Sequence, residues 1–365
     1  MQVKGRTLAS YFSLRFIAAI AGLFLLAAVL IFVFDLLELV RRGGDREGFS
    51  LLRVGLISLL RVPQLMEQVL PFAVLFGSIG AFLSLSRSLE LVVTRAAGVS
   101  VWQFVAPGFF IGLVIGALAI TVYNPLAVHL RTWSDDMAVG LFSHEQNFLI
   151  DTQEDIWLRQ DGEDGESILH ARQLADRGQR LVGLTILAFN REGLFMERIE
   201  ADEARLSSGR WNLINATVYT TEGDPQQFRS YSVSTYLTPT EIQNSIAAPE
   251  SVPFWDLPRV IELSQRAGLP AYRYSLQYQV LLARPLLLAA MVLIAASVSL
   301  RVSRMGGIGR LILGGIVAGF VLYVLSELAK DFGGAGIVPP VIAAWAPGIL
   351  GILMGSTILL HQEDG

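Results

Sequence analysis

The chain has 365 residues, of which 53% are hydrophobic and only 16% charged, with a formal net charge of −4. That balance excludes most soluble folds and reads as a membrane protein, with no nucleic acid among the expected partners. The absence of cysteine excludes disulfides, thiolate zinc sites and cysteine nucleophiles. The histidines, His129, His144, His170 and His361, are scattered without metal-ligand spacing, so no metal centre is expected. Lys4 and Lys330 are the only lysines and neither follows a glycine-rich loop, which rules out a phosphate-gripping G-x-x-x-x-G-K-[ST] loop. No cofactor is expected, and if ATP drives this protein another chain binds it.

Residues 11–40 form an apolar run longer than the roughly 20 residues that a bilayer crossing needs. It is too long for a signal-peptide core and no small-residue cleavage site follows, so it is expected to be a retained first span. Asp35 and Glu38 lie one helical turn apart near its far end, followed by Arg41, Arg42 and Arg46. A second span is expected over residues 64–85, preceded by Arg53 and Arg61, containing Glu67 and kinked at Pro71.

Residues 86–98, Ser86-Arg87-Ser88-Leu89-Glu90-Leu91-Val92-Val93-Thr94-Arg95-Ala96-Ala97-Gly98, lie between two membrane-length runs. As a helix, this stretch puts Leu85, Leu89, Val92, Val93 and Ala96 on one face and Arg87, Glu90 and Thr94 on the other, with Gly98 closing it. Such a helix lies along the membrane surface and either presents its polar face to a partner or is a solvated connector. A third span runs from about Val101 to Asn124-Pro125, with Gly108, Gly112 and Gly116 four apart as a stripe that lets another helix approach closely.

From residue 138 to 253 the character changes. Alternating segments between turn signals appear at 147–150, 155–159, 166–170, 180–189, 194–199, 210–220 and 227–236. In the run from Trp211 to Tyr219 the period of two is plain, as in a strand with one face in a core. So many strands in one insertion point to a β-sandwich or jelly roll. Residues 254–268 then read as a short helix with Asp256 near its N-cap and Pro258 in its first turn.

A fourth span is expected over residues 274–300, with Arg284-Pro285 inside it; an ionisable residue there either serves function or pairs with an acid on a neighbouring helix. Arg301, Arg304 and Arg310 surround a glycine-rich loop, a fifth span covers 311–328 with Glu327 at its end, Lys330-Asp331 leads to a turn, and a sixth covers 341–360. Six spans place both termini on one side and the β insertion on the other. The arginines Arg41, Arg42, Arg46, Arg53 and Arg61 then fall on the β side, against the usual charge bias. Either they bind phosphates, which guanidinium pairs bidentately, or short loops tolerate them.

The whole arrangement resembles the LptF/LptG permeases of the lipopolysaccharide export system. The most specific pieces are Arg87 to Val93 with Ala97-Gly98, the run from Ile199 to Ala204 with Trp211-Asn212-Leu213, Arg284-Pro285, and Pro339-Pro340 with Ala344-Trp345-Ala346-Pro347. The Glu-Leu-Val-Val run and residues 334–347 look more like the LptG member than LptF. The fold class implied is a polytopic α-helical membrane protein of six transmembrane helices with an inserted periplasmic all-β jelly-roll-like domain. The domain limits are 1–137 for spans one to three with the coupling helix 86–98, 138–253 for the β domain, and 254–365 for the connecting helix and last three spans.

The resemblance further implies a multi-pass protein of the bacterial inner membrane with cytoplasmic termini. It implies a homologous LptF-like six-span permease as partner, a dimeric LptB-like cytoplasmic ATPase, an LptC-like single-span jelly-roll protein, an LptA-like periplasmic bridge, and lipopolysaccharide as cargo. The chain itself would be non-catalytic. Glu90 matches the family's acidic ATPase-docking residue, with Arg87, Leu91, Thr94 and Arg95 beside it. Arg41 and Arg42 match the basic end of the first span, and His129 and Arg131 lie close to basic positions that face lipid phosphates. One departure is that Phe32-Val33-Phe34-Asp35 stands where members of the family can carry a basic residue. The intramembrane ionisable candidates are Asp35, Glu38, Glu67, Arg284 and Glu327. A membrane-anchored scaffold that recruits periplasmic partners through its β domain is the alternative. A polytopic enzyme would need clustered Asp, His or Ser in the membrane, and the acids here are isolated.

Overall fold

The computed structural model of the chain describes residues 2–43, 50–87, 98, 100–142, 156–162, 165–175, 180–190, 194–207, 209–220, 223–236, 248–266, 271–299 and 308–364. They fall into two compact units, one of Met1–Met137, Pro249–Ile261 and Tyr272–Gly365, the other of Ala138–Ala248 and Glu262–Ala271.

The first unit is helical. Helices α1 (Gln2–Gly43), α2 (Leu51–Arg87) and α3 (Val101–Leu118) are followed by a π-helical segment, Ala119–Tyr123, and by α4 (Asn124–Phe142). Helix α5 (Leu257–Arg266) precedes α6 (Tyr272–Ser299), α7 (Ile308–Gly334) and α8 (Pro340–Asp364). Among the described residues, six stretches are long and apolar enough to cross a membrane, namely Ser10–Arg41, Leu51–Ser86, Val101–Ala138, Tyr272–Ser299, Leu313–Gly334 and Pro340–His361.

Helix α6 is the axis of this unit. Every residue from Leu288 to Ala296 is buried, as expected of a helix that is apolar on all sides. The glycine stripe packs against it. A Cβ added to Gly116 would sit 2.3 Å from the Cα of Pro285, and one on Gly112 3.1 Å from the Cα of Ala289. A third contact of this kind joins α2 to α1, where a Cβ on Gly77 would lie 2.6 Å from the Cα of Ile20. Apolar side chains of α1 such as Leu14, Leu25, Leu26, Phe34 and Leu37 remain exposed, a face left for lipid or protein.

Several helices exceed their expected bounds. Helix α2 begins at Leu51, so Arg53 and Arg61 belong to it and do not precede it. The third span does not end at Asn124-Pro125 but continues as α4 to Phe142. Pro125 ends nothing because the carbonyl that its missing N–H would have served, that of Thr121, takes a donor from elsewhere in the unit. Helix α7 likewise carries Lys330 and Asp331 within it. At 1.5 Å per residue α2 is about 55 Å long, nearly twice the roughly 30 Å hydrocarbon layer, so part of it stands in water. Helix α5 starts at Leu257, which puts Asp256 at its N-cap and Pro258 in its first turn, as the sequence implies.

The second unit contains an antiparallel sheet of six described strands in sequential order: β1 (Ile156–Gly162), β2 (Gly165–Ala175), β3 (Arg180–Phe189), β4 (Phe195–Ser207), β5 (Arg210–Thr220) and β6 (Gln226–Ser234). They match six of the expected segments, and 147–150 lies outside the described residues. Gln160 of β1 holds the far strands: its Oε1 accepts from Trp211 Nε1 at 3.0 Å and from Thr235 Oγ1 at 2.8 Å. A Cβ on Gly162 would lie 2.5 Å from the Ser234 carbonyl oxygen, so the ends of β1 and β6 meet and the sheet is rolled.

The rolling has a visible device. The pairing ladder is interrupted across β2 to β6 at Arg172, Gly183, Asp202, Asn215 and Arg229, and between β4 and β5 the adjacent Ala201–Ala216 pair is missing as well. Gly183 and Asn215 there have φ of 64° and 54°. Inward residues consequently change parity: Leu181 then Leu184 in β3, Ala201 then Ala204 in β4, Leu213 then Ala216 in β5. The strict period of two expected from Trp211 to Tyr219 therefore breaks at Asn215, whose Nδ2 donates to Asp202 Oδ2 at 3.0 Å. Unbroken alternation would have turned Ala216 and Val218 outward.

Candidate functional site

Three helices of the first unit each turn one polar stripe toward a common space. Helix α2 contributes Gln64, Glu67 and Gln68; α6 contributes Arg273, Gln277 and Arg284; α7 contributes Tyr323, Glu327, Lys330 and Asp331. The spacings of three and four are those of one helical face. With Pro249, Glu250 and Tyr272 these side chains enclose a cavity of about 750 Å³. It runs from the start of α6 to Arg284, about 18 Å along the helix axis. A recess of about 60 Å³ shares Glu67, Arg284 and Glu327 and reaches Ala343 and Ala344 at the start of α8.

Glu67 is the centre of its hydrogen bonding. Its Oε2 pairs with Arg284 Nη1 at 2.9 Å, with side chains only 10% and 14% exposed. Its Oε1 accepts from Asn124 Nδ2 at 3.0 Å, and Asn124 Oδ1 in turn accepts the backbone N–H of Phe254 at 3.0 Å. The carboxylate is thus satisfied on both oxygens, the condition for holding a charge in a poorly solvated place. The π segment supplies further anchors. Tyr123 donates its hydroxyl to the Pro63 carbonyl at 2.8 Å. The carbonyl of Thr121, whose α-helical donor would be the hydrogen-less nitrogen of Pro125, accepts the Trp255 indole N–H at 3.0 Å. The chain returning at Pro249 is thereby tied to α2 and to the π segment, and the Phe254 ring stacks on Tyr278 at 5.5 Å.

Of the residues singled out by sequence, the structure joins Glu67 to Arg284, so this arginine pairs with an acid on a neighbouring helix. Glu327 bonds Lys330 at 2.7 Å, and both line the cavity. Glu38 pairs with Arg41 at 2.7 Å. Asp35 has one buried oxygen, Oδ2, with no partner among the described residues. Arg131 binds Asp135 at 2.9 Å and reaches Gln64 Oε1 at 3.4 Å, while the Nδ1 of His129 lies 2.6 Å from the Pro125 carbonyl. Among the described residues no hydrogen bond or ion pair joins Arg41 to His129 or Arg131. The side chains of Arg42 and Arg87, and the whole of Glu90, Leu91, Thr94 and Arg95, lie outside the described residues. Gly98 has φ 83°, in the left-handed region that favours glycine. Sequence reading missed Asn124, Trp255, Gln64 and Gln277; the Asn-Pro step inside an apolar run was the available signal for the first two.

A family model described as lipopolysaccharide export system permease LptF/LptG matches residues 7–361. The chain belongs to the LptF/LptG family. Among its relatives, the lipopolysaccharide export system permease protein LptG of Escherichia coli (strain K12) is 24% identical over 328 residues, which cover 86% of this chain and 87% of that one. The LptG protein of Haemophilus influenzae (strain Rd) is 22% identical over 317 residues, 84% of this chain and 85% of its own. An LptF/LptG member is a lipopolysaccharide export permease, so the six spans are those of a multi-pass transport protein.

Proposed function

We propose that this chain is the LptG-like permease subunit of an exporter that draws lipopolysaccharide from the inner membrane and passes it to a periplasmic bridge, using ATP hydrolysed by a partner chain. The observation that carries this reading is the family match over nearly the whole chain, spans and β insertion together. Physical chemistry supports the division of labour. Exposing an acyl chain of about twelve CH₂ groups to water costs on the order of 10 kcal/mol, and a lipid with several chains needs both an apolar shelter and an external energy source. The chain offers apolar spans and has no phosphate-gripping loop.

In this reading the termini and residues 86–98 face the cytoplasm and the β insertion faces the periplasm. Glu90, flanked by Arg87, Leu91, Thr94 and Arg95, docks into a dimeric LptB-like ATPase. A homologous LptF-like chain pairs with this one, and LptC-like and LptA-like jelly rolls receive the lipid. Arg41 and Arg42 at the end of the first span, with His129 and Arg131, contact the lipid phosphates. The test is to purify the full chain with whatever accompanies it and to introduce Glu90→Arg. Recovery of an ATPase and a second six-span chain with the parent, and loss of the ATPase alone in the variant, is the expected result. Undiminished ATPase recovery with Glu90→Arg would overturn the docking role, and recovery of neither chain with the parent would overturn the permease reading.

A further inference from the structure

The polar cavity among α2, α6 and α7 has a lining whose chemistry favours one class of ligand. Two of its three cations are committed, Arg284 to Glu67 and Lys330 to Glu327, while Arg273 has no ion pair among the described residues. Its carboxylates outnumber its cations, so the local field opposes an anion. By contrast, the side-chain amides of Gln68 and Gln277 have no partner among the described residues, and each carries two N–H donors and a carbonyl acceptor. Tyr272, 40% exposed, offers an aromatic ring at the mouth, with Leu276 and Val280 as apolar flank. Free amides beside the paired carboxylates of Glu67 and Glu327 and an aromatic ring suit hydroxyl groups, which both donate and accept hydrogen bonds and carry no charge. The volume, about 750 Å³, falls within the range of roughly 300–1,000 Å³ usual for small-ligand sites. A groove of about 920 Å³ along α1 and α3 has the opposite character, lined by Ile17, Phe24, Phe110, Val114 and Leu118.

We infer that this cavity binds the saccharide portion of the exported lipid through its hydroxyls, with Gln68 and Gln277 as the recognising side chains, and does not bind the phosphates. The inference rests on the lipopolysaccharide reading above and adds which part of the lipid enters this space. The cavity lies at the end of the helical unit where α6 begins and α7 ends. A polar headgroup lodged there leaves its acyl chains free to follow the apolar spans.

The experiment uses the full chain in lipid nanodiscs and the double variant Gln68→Ala/Gln277→Ala, which breaks no hydrogen bond among the described residues. Two probes are titrated: a free, unphosphorylated oligosaccharide cleaved from lipopolysaccharide, followed by saturation-transfer NMR, and bisphosphorylated lipid A without core sugars, followed by native mass spectrometry. Loss of two hydrogen-bonding amides should weaken oligosaccharide binding about tenfold or more while lipid A binding stays unchanged. Oligosaccharide binding that is absent from the parent, or equal in parent and variant, overturns the inference. So does an equal loss of both probes, which would mean that the cavity reads the phosphorylated disaccharide. Oligosaccharide binding by the parent that the variant loses, with lipid A bound by neither, would uphold the saccharide site and overturn lipid export.

Discussion

Replacing Glu67 by Leu should be among the most damaging single changes in the helical unit. The substitution leaves the Arg284 guanidinium, 14% exposed, without its carboxylate, and it strips Asn124 Nδ2 of its acceptor. Breaking a buried ion pair from one side costs about 3–5 kcal/mol. The cavity beside Arg284 admits water and argues for the lower end, about 3 kcal/mol, to which the orphaned Asn124 amide adds about 1 kcal/mol. The double variant Glu67→Leu/Arg284→Met removes both charges and should recover to within about 1 kcal/mol of the parent, since apolar replacement of a whole pair is near neutral. Thermal unfolding of the four proteins in one detergent, followed by intrinsic tryptophan fluorescence, gives the cycle. Glu67→Leu should lower the midpoint by about 5 °C or more and the second substitution should restore most of it. A double variant as unstable as the single one would refute the reasoning, because the carboxylate would then matter for something other than Arg284.

Two further substitutions test the packing. Gly116→Val places methyl groups where even a Cβ would lie 2.3 Å from the Cα of Pro285, so it should cost about 3 kcal/mol or more, whereas Gly80→Ala, with nothing within 4 Å of its Cβ, should be neutral or slightly stabilising; detergent melting curves compare them. In the β unit, Asn215→Val puts a β-branched residue at φ 54° and should cost about 1–2 kcal/mol, seen as faster proteolysis within the sheet, while Asn215→Gly should be close to neutral. Equal protease sensitivity of these two variants would show that the bend does not depend on the left-handed backbone.

Much was legible because it depends on local pattern. The apolar runs give all six spans, since backbone groups in hydrocarbon can be satisfied only within a helix or a closed sheet. The stripe of Gly108, Gly112 and Gly116 announces a close helix contact, and the structure supplies it against α6. Strand positions were equally plain, with β3 and β5 having the bounds that their alternation implies. The boundary errors share a cause: Arg53, Arg61, Lys330 and Asn124-Pro125 look like interruptions of a span, but helices longer than the bilayer is thick carry their polar residues beyond it.

What the chain could not state by itself was which distant residues meet. Glu67 and Arg284 are 217 positions apart and Asn124 and Phe254 are 130 apart, so their bonds exist only once α2, α6 and the π segment have packed. The bend of the sheet at Asn215 is decided the same way. Nothing local forbids continued alternation there, and the skip arises because five neighbouring strands must turn at one level to keep both halves of the apolar face inside. The amino-acid sequence by itself determined the number of membrane crossings, the β insertion and the family, since hydrophobic period and residue order are written along one dimension. The cavity was left to tertiary structure, because a stripe of three or four polar side chains on one helix acquires meaning only when two other helices turn theirs to face it.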